Sequence, residues 1–326
     1  MREAGAIAYA KVNFTLDILD RRPDGYHEIR SIMQTISLAD TLHIRLGTGH
    51  RGIKLSVDGE HAEAAPVDDT NLVIRAVRAV LAEAGIDENT VSLDIDLSKG
   101  IPAQAGLGGG SSDAAAALAL TSRFFDLDLP HTTLARLAAG LGSDVPFFLV
   151  GGTCLVEGVG EKVTPLPSSI GCYNLVICKP NANVPTALAY QRFDQVRESI
   201  RSHEENLPDS TDDVVEQDST SLWLEVTGSL VSTDLDEDGY LRTVMHNDFE
   251  PLILGWEDEI SRVHKLMYFA ARKYRASRPK LSGSGAAIFC LVDGEENAAS
   301  MAAEMNAANA GWVTTANTCS GGFGLL

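Results

Sequence analysis

Ile101–Leu120, IPAQAGLGGGSSDAAAALAL, is the stretch on which the fold turns. Its glycines, Gly106, Gly108, Gly109 and Gly110, lie between two patterned segments. Before them, Val91, Leu93, Ile95 and Leu97 alternate with polar residues, which predicts a strand over 91–97. After them, Asp113–Phe125 is alanine-rich and predicts a helix. Glycines in a strand–loop–helix turn form an anion cradle. Backbone N–H groups approach phosphate oxygens without Cβ obstruction, and the unpaired amides and dipole of the following helix favour negative charge. Ser111 and Ser112 add hydroxyls for phosphate or a metal ion. The letters exclude two commoner cradles. No Gly-Lys-Ser/Thr triplet occurs, and counting GxGxxG from Gly106 and Gly108 puts Ser111 where the third glycine belongs. A plain flexible loop is the bland alternative, and the strand–helix setting disfavours it.

Outward from the loop, Asn71–Ala84 carries apolar residues at helical spacing, with Thr70 or Asn71 as its cap. AIAYAKVNFTLDI, residues 6–18, reads as a half-buried strand. RRPDG, residues 21–25, supplies a tight turn that delivers Tyr26 and His27, and a second strand is expected through Ile36. Leu134–Leu141 reads as a helix with Gly140 and Gly142 as candidate stops. Strands are expected at Phe147–Val150, Thr153–Val156 and Asn174–Cys178, and a helix over Asp258–Arg275. KLSGSGAAIFCLV, residues 280–292, then gives a glycine turn running into an apolar strand. Helices and strands mixed without βαβ alternation predict an α+β fold in two domains, 1–165 and 166–326, with the boundary near Pro165–Gly171.

The 326 residues favour two domains over one, and 44% apolar with 22% charged residues describes an ordinary globular chain. Residues 201–240, with 12 acidic residues against one basic, contribute −11 of the net −19. From about 198 to 240 a mobile acidic surface insertion is therefore expected, with Trp223 in a short docked turn. The charge argues against nucleic-acid binding. No apolar run suits a membrane span and no leader pattern opens the chain, so a cytoplasmic enzyme, monomer or homodimer, is expected. Cys154, Cys172, Cys178, Cys290 and Cys319 show no metal spacing and read as reduced core residues.

PAQAGLGGGSSDAA resembles the phosphate-binding motif of the GHMP kinases, in its longer three-glycine form. AYAKVN, RRPDGYHEI, GSDVPFFLVGGTCLVEGVGE and KLSGSGAAIF follow in that family's order, so the resemblance covers nearly everything but the acidic stretch. It implies an N-terminal ATP-binding domain with a mixed sheet, a C-terminal ferredoxin-like domain, ATP and Mg²⁺ as cofactors, and phosphorylation of a small alcohol. DGYH points to the branch whose substrate carries a cytidine diphosphate group.

Residue by residue, the resemblance makes Asp144 the acceptor of the hydroxyl proton and Lys11 its partner. It gives ATP to Asn71, Lys99 and the loop Pro102, Ala103, Gln104, Ala105, Gly106, Leu107, Gly108, Gly109, Gly110, Ser111 and Ser112. Tyr26 and Tyr190 would sandwich the cytosine and His27 would read its edge. Asn13 and Thr186 are further substrate contacts, and Gly283, Ser284 and Gly285 close over the transferred group. Ser112 is a candidate metal ligand. Gln104 departs from the small residues common there. Taken alone, Asp144 reads as a turn residue and Lys11 as a strand lysine. The rival functions are another GHMP kinase, acting on mevalonate derivatives, homoserine or a sugar, and a non-catalytic ligand sensor.

Overall fold

A computed structural model describes residues 3–167, 172–204 and 245–326. Two long strands, β1 (Glu3–Arg21) and β2 (His27–Leu46), form an antiparallel hairpin across the turn at 22–25. β3 (Gly52–Asp58) runs parallel to β4 (Ser92–Ser98), and β4 pairs with the inner half of β2, residues 41–46. The outer half of β2, residues 29–34, pairs instead with β5 (Thr153–Gly158), which carries β6 (Lys162–Pro165). The same edge of β2 thus serves two partners. In the stretch between them the Asp40 carboxylate accepts from the Gly100 and Ile101 amides at 2.6 and 2.8 Å, fixing where the chain leaves the sheet for the glycine loop.

Helices α1 (Leu72–Glu83), α2 (Gly109–Phe124), α3 (His131–Leu141) and α4 (Val145–Val150) pack on this sheet. Ala114–Ala117 of α2 are fully buried with Ala6 and Ala8 of β1; side chains this small let helix and strand approach closely. The Asn71 side chain accepts from the Val73 amide at 2.9 Å and caps α1. α2 begins at Gly109, four residues before the expected start, and the Phe147–Val150 segment is helical rather than a strand. Periodicity cannot separate a four-residue apolar run from a helical turn; here Pro146 at the first turn and Gly151 at the end set a short helix.

The second sheet has the order β11 (Trp312–Asn317), β7 (Asn174–Lys179), β10 (Ile288–Val292), β9 (Lys280–Leu281). Both faces of β10 are buried. Ile288, Cys290 and Val292, with Val176 and Cys178 of β7, meet α6 (Phe249–Trp256), α7 (Asp258–Lys273) and α8 (Glu295–Ala307). Phe289 and Leu291, with Leu175 and Ile177, meet Val12, Phe14, Ile32 and Ile36 of the first sheet. Strand alternation therefore builds one core against helices and a second between sheets. At about 1.5–3 kcal/mol per large apolar side chain, the inter-sheet layer is a major cohesive contact between the halves.

Chain crossings reinforce it. β8 (His246–Asn247) runs parallel to β1, and β12 (Phe323–Leu325) returns to pair with β1 at Ala6–Ala8. α5 (Thr186–Glu204) extends through the first residues of the expected acidic insertion, so 198–204 are helical; residues 205–240 of that stretch, including Trp223, lie outside the described residues. Among the described residues no helix is long and apolar enough to cross a membrane.

Candidate active site

The glycine loop leaves β4 and turns into α2 along a cavity of about 410 Å³. Asn71, Lys99, Pro102 through Ser111 and Asp113 line it, joined by Ala64, Ala65, Pro66 and Leu72 from the approach to α1. Two glycines are dictated by space and backbone alike. At Gly106, φ is +73° and a Cβ would lie 1.9 Å from the Ser282 carbonyl oxygen. At Gly108, φ is again +73° and a Cβ would lie 2.6 Å from the Phe148 ring and 3.1 Å from Lys11 Cγ. Gln104 tolerates φ of +51° without being glycine.

The loop is anchored from the opposite half of the chain. The Ser282 hydroxyl donates to Gly106 O at 2.9 Å, and the Ala287 amide donates to Ala105 O at 3.0 Å. Asn247, buried, donates through Nδ2 to Leu281 O at 2.7 Å and Gly283 O at 2.8 Å while accepting from the Phe249 amide at 2.9 Å. Ser284 meets Thr186 hydroxyl to hydroxyl at 3.0 Å, joining this turn to the start of α5. The resemblance did not single out Asn247.

Lys11 stands where these parts converge. Its amide donates to Leu107 O at 3.0 Å, and its Nζ donates to Asn13 Oδ1 at 2.7 Å and lies 3.7 Å from Asp144 Oδ2. A Cβ on Gly283 would sit 3.3 Å from the same nitrogen. Asn13 is oriented in turn, donating to Ser31 Oγ at 2.8 Å, while Ser31 donates to Thr15 O at 2.5 Å. Burial pulls the Lys11 ammonium below its ordinary pKa, and the Asp144 carboxylate offsets this in part. A further negative charge arriving beside Lys11 is therefore favoured. Asp144 precedes α4, yet its side chain caps no helix amide, which leaves its carboxylate free for Lys11. A turn residue of purely structural role would spend those oxygens on the helix.

Tyr190 stacks on His27 with ring centroids 4.9 Å apart and planes 17° apart. Burial, with the Asp144 charge adding, pushes the Tyr190 phenol up to about 12. His27 Nε2 meets Asp194 Oδ1 at 2.6 Å, and Arg21 lies 3.4 Å from the other oxygen. Asp194 went unread in the sequence, although it falls four residues after Tyr190 and so shares its helix face. Tyr26 is 65% exposed just beyond the turn. The structure thus brings Tyr190 against His27 and leaves the Tyr26 ring in solvent.

Lys99 lines the loop cavity, and its charge is held by two carboxylates. Its ammonium is buried between Asp40 and Asp113, at 2.6 Å from Asp113 Oδ2 and closer still to Asp40. Burial, with the nearby Asp40 charge, pushes Asp113 up to about 8 against the pull of Lys99. This cluster ties β2, the end of β4 and the first turn of α2 into one unit beneath the cradle. Ser112 is also fully buried, and its hydroxyl has no hydrogen-bond partner among the described residues. Such an orphaned oxygen, one residue beyond the last loop residue that lines the cavity, fits a metal ligand.

The profile of the GHMP kinases N terminal domain matches residues 71–152, which span α1, the loop and α4. A 4-diphosphocytidyl-2-C-methyl-D-erythritol kinase of Geobacter sulfurreducens is 35% identical over 318 residues, 98% of this chain and 100% of the relative. A protein of the same name from Desulfitobacterium hafniense is 38% identical over 91% of this chain and 89% of its own. The crystal structure of a 4-(cytidine 5'-diphospho)-2C-methyl-D-erythritol kinase superposes with a TM-score of 0.70 at 28% identity, covering 97% of this chain and 100% of that one. With identity of this order over nearly the full length of both chains, the chain belongs to the 4-diphosphocytidyl-2-C-methyl-D-erythritol kinase family of the GHMP kinases.

Proposed function

We propose that this chain transfers the γ-phosphoryl group of ATP to the 2-hydroxyl of 4-diphosphocytidyl-2-C-methyl-D-erythritol, a step of the non-mevalonate isoprenoid precursor pathway in the cytoplasm. The observation that carries the reading is the buried Lys11 ammonium, 3.7 Å from an uncapped Asp144 carboxylate and in contact with the glycine loop. Phosphoryl transfer asks for alignment and charge stabilisation more than for covalent chemistry. In this reading residues 1–165 hold ATP, and the turn at 283–285 of residues 166–326 closes over the transferred group.

The loop amides from 106 to 112 bind the phosphates. Asp144 accepts the hydroxyl proton, acting through position more than basicity. Lys11 holds that carboxylate in place and stabilises the charge that develops between nucleophile and phosphorus. Asn13 fixes the lysine rotamer and offers its amide region to the substrate. Tyr190 and His27, with Tyr26 able to fold over from solvent, provide ring faces for a cytosine; stacking of this kind contributes about 1–3 kcal/mol per base. Ser112 would be the protein ligand for a Mg²⁺ ion arriving with the nucleotide, which would supply neutralisation of triphosphate charge.

ADP release should be followed with Mg-ATP and, separately, the cytidylated substrate, mevalonate, homoserine and galactose. Turnover is expected on the cytidylated compound alone. Comparable turnover on an uncytidylated alcohol would refute the substrate assignment, and no turnover on any of them would favour the ligand-sensor reading.

A further inference from the structure

Of the five cysteines, Cys154, Cys178 and Cys290 are buried, whereas Cys172 is exposed and Cys319 half-exposed. The sequence separates these last two by almost half the chain, yet the second sheet brings them together. β7 and β11 pair antiparallel from Lys179↔Trp312 to Asn174↔Asn317. The ladder continues one step, with the Thr318 amide donating to Tyr173 O at 3.0 Å and the Tyr173 amide to Thr318 Oγ1 at 3.0 Å. One step further, that register sets Cys172 opposite Cys319. The Cys319 amide points away from β7 and donates to Thr35 O at 2.8 Å, as required of a non-hydrogen-bonded pair. Cα atoms in such a pair are about 4.5 Å apart, inside the range a disulfide spans. Both cysteines line one cavity of about 410 Å³ with Gly151, Gly152 and Ser320.

We infer that Cys172 and Cys319 are a reversible dithiol, a modification site that a small-molecule disulfide oxidises to an intramolecular cross-strand bridge. The Cys172 thiolate attacks one sulfur of the small disulfide, forming a mixed disulfide and expelling one thiolate, which takes up a proton. Cys319 then loses its proton and attacks Cys172 Sγ, expelling the second small thiolate, which is protonated in turn. Two protein thiols are oxidised and one small disulfide is reduced to two thiols. The order follows from the surroundings: Cys172 is open to solvent, while burial, with Cys172 adding, raises the pKa of the Cys319 thiol and keeps it protonated until the mixed disulfide is beside it.

The site borders the catalytic elements without belonging to them. Residues 320–322 lie against Gly151 and Gly152, where α4 ends; a Cβ on Gly151 would be 1.8 Å from the Gly322 nitrogen. α4 begins directly after Asp144. A bridge at 172–319 therefore stiffens the strap on which the end of the catalytic helix rests.

The full-length chain should be treated with oxidised glutathione and digested without reductant, then analysed by mass spectrometry beside Cys172→Ser and Cys319→Ser. A linked peptide pair containing Cys172 and Cys319, lighter by two hydrogens and lost on adding dithiothreitol, is expected. The Cys319→Ser variant should instead stop at a glutathione adduct on Cys172. Native chain that also stops at that adduct, or that forms bridges only between molecules, would overturn the inference. So would unreacted thiols at both positions. Because the readout is covalent, it stands whether or not the chain turns over the proposed substrate.

Discussion

Single residues carry the chemistry, and their removal separates catalysis from stability. Asp144→Asn should keep the fold, because the carboxylate caps nothing, and lower kcat by about 10²–10⁴-fold with little change in KM for ATP. Lys99→Met should behave in the opposite way. It leaves Asp40 and Asp113 buried without their cation, at a cost of about 3–5 kcal/mol in a urea titration. A Lys99→Met chain of normal stability with an ATP-binding defect would instead make Lys99 a direct nucleotide contact. The sequence made Lys11 and Asp144 legible because both sit in long family motifs, and the structure adds what the letters cannot: that Asn13 holds the lysine nitrogen and that Asp144 is spared from capping. Asp40 was silent, since an acidic residue in a strand says nothing of the lysine it will meet 59 residues later.

Elements were legible where one face is buried and less so where context decides. α1 and β4 follow from period alone and fall within a residue or two of expectation. α4 does not, because six apolar residues fit a strand or a helix turn and the flanking Pro146 and Gly151 decide. β8 is two residues long and unreadable, yet it aligns Asn247 beneath the 281–283 turn. Asn247→Ala should therefore leave two carbonyls and one amide without a partner, lower stability by about 1–3 kcal/mol, and depress kcat by freeing Gly283. Its neighbour sets a pH dependence. The Asp248 carboxylate, by hydrogen bond, raises the His246 pKa above 6.5 in the folded chain; burial and Lys280 oppose it, and Asp17 adds to it. The folded state thus holds this proton more tightly than the unfolded one. Its stabilisation is complete below pH 6.5 and fades as pH rises through the higher folded value. The native urea midpoint should fall across that window, and His246→Asn should flatten this part of the profile.

At the scale of the molecule, the glycine loop and the turn at 282–287 come from opposite halves of the chain and are hydrogen-bonded to each other. An inter-sheet core joins the same two halves. Ligands that fill the cleft should therefore stabilise the whole chain in one transition. At 100-fold excess over Kd, the cytidylated substrate should add about 2.7 kcal/mol and raise Tm, while mevalonate at the same concentration should leave Tm unchanged. The letters announced the α+β class and the cradle; they did not announce that β2 divides one edge between β4 and β5, which is a consequence of strand length realised only in three dimensions. The central claim is spatial. A crystal structure with a non-hydrolysable ATP analogue and the cytidylated substrate tests it most directly. The γ-phosphate should lie between the loop at 106–112 and the Lys11 amine, with the 2-hydroxyl within hydrogen-bond reach of Asp144. A triphosphate bound away from that loop, or a hydroxyl remote from Asp144, would contradict the account.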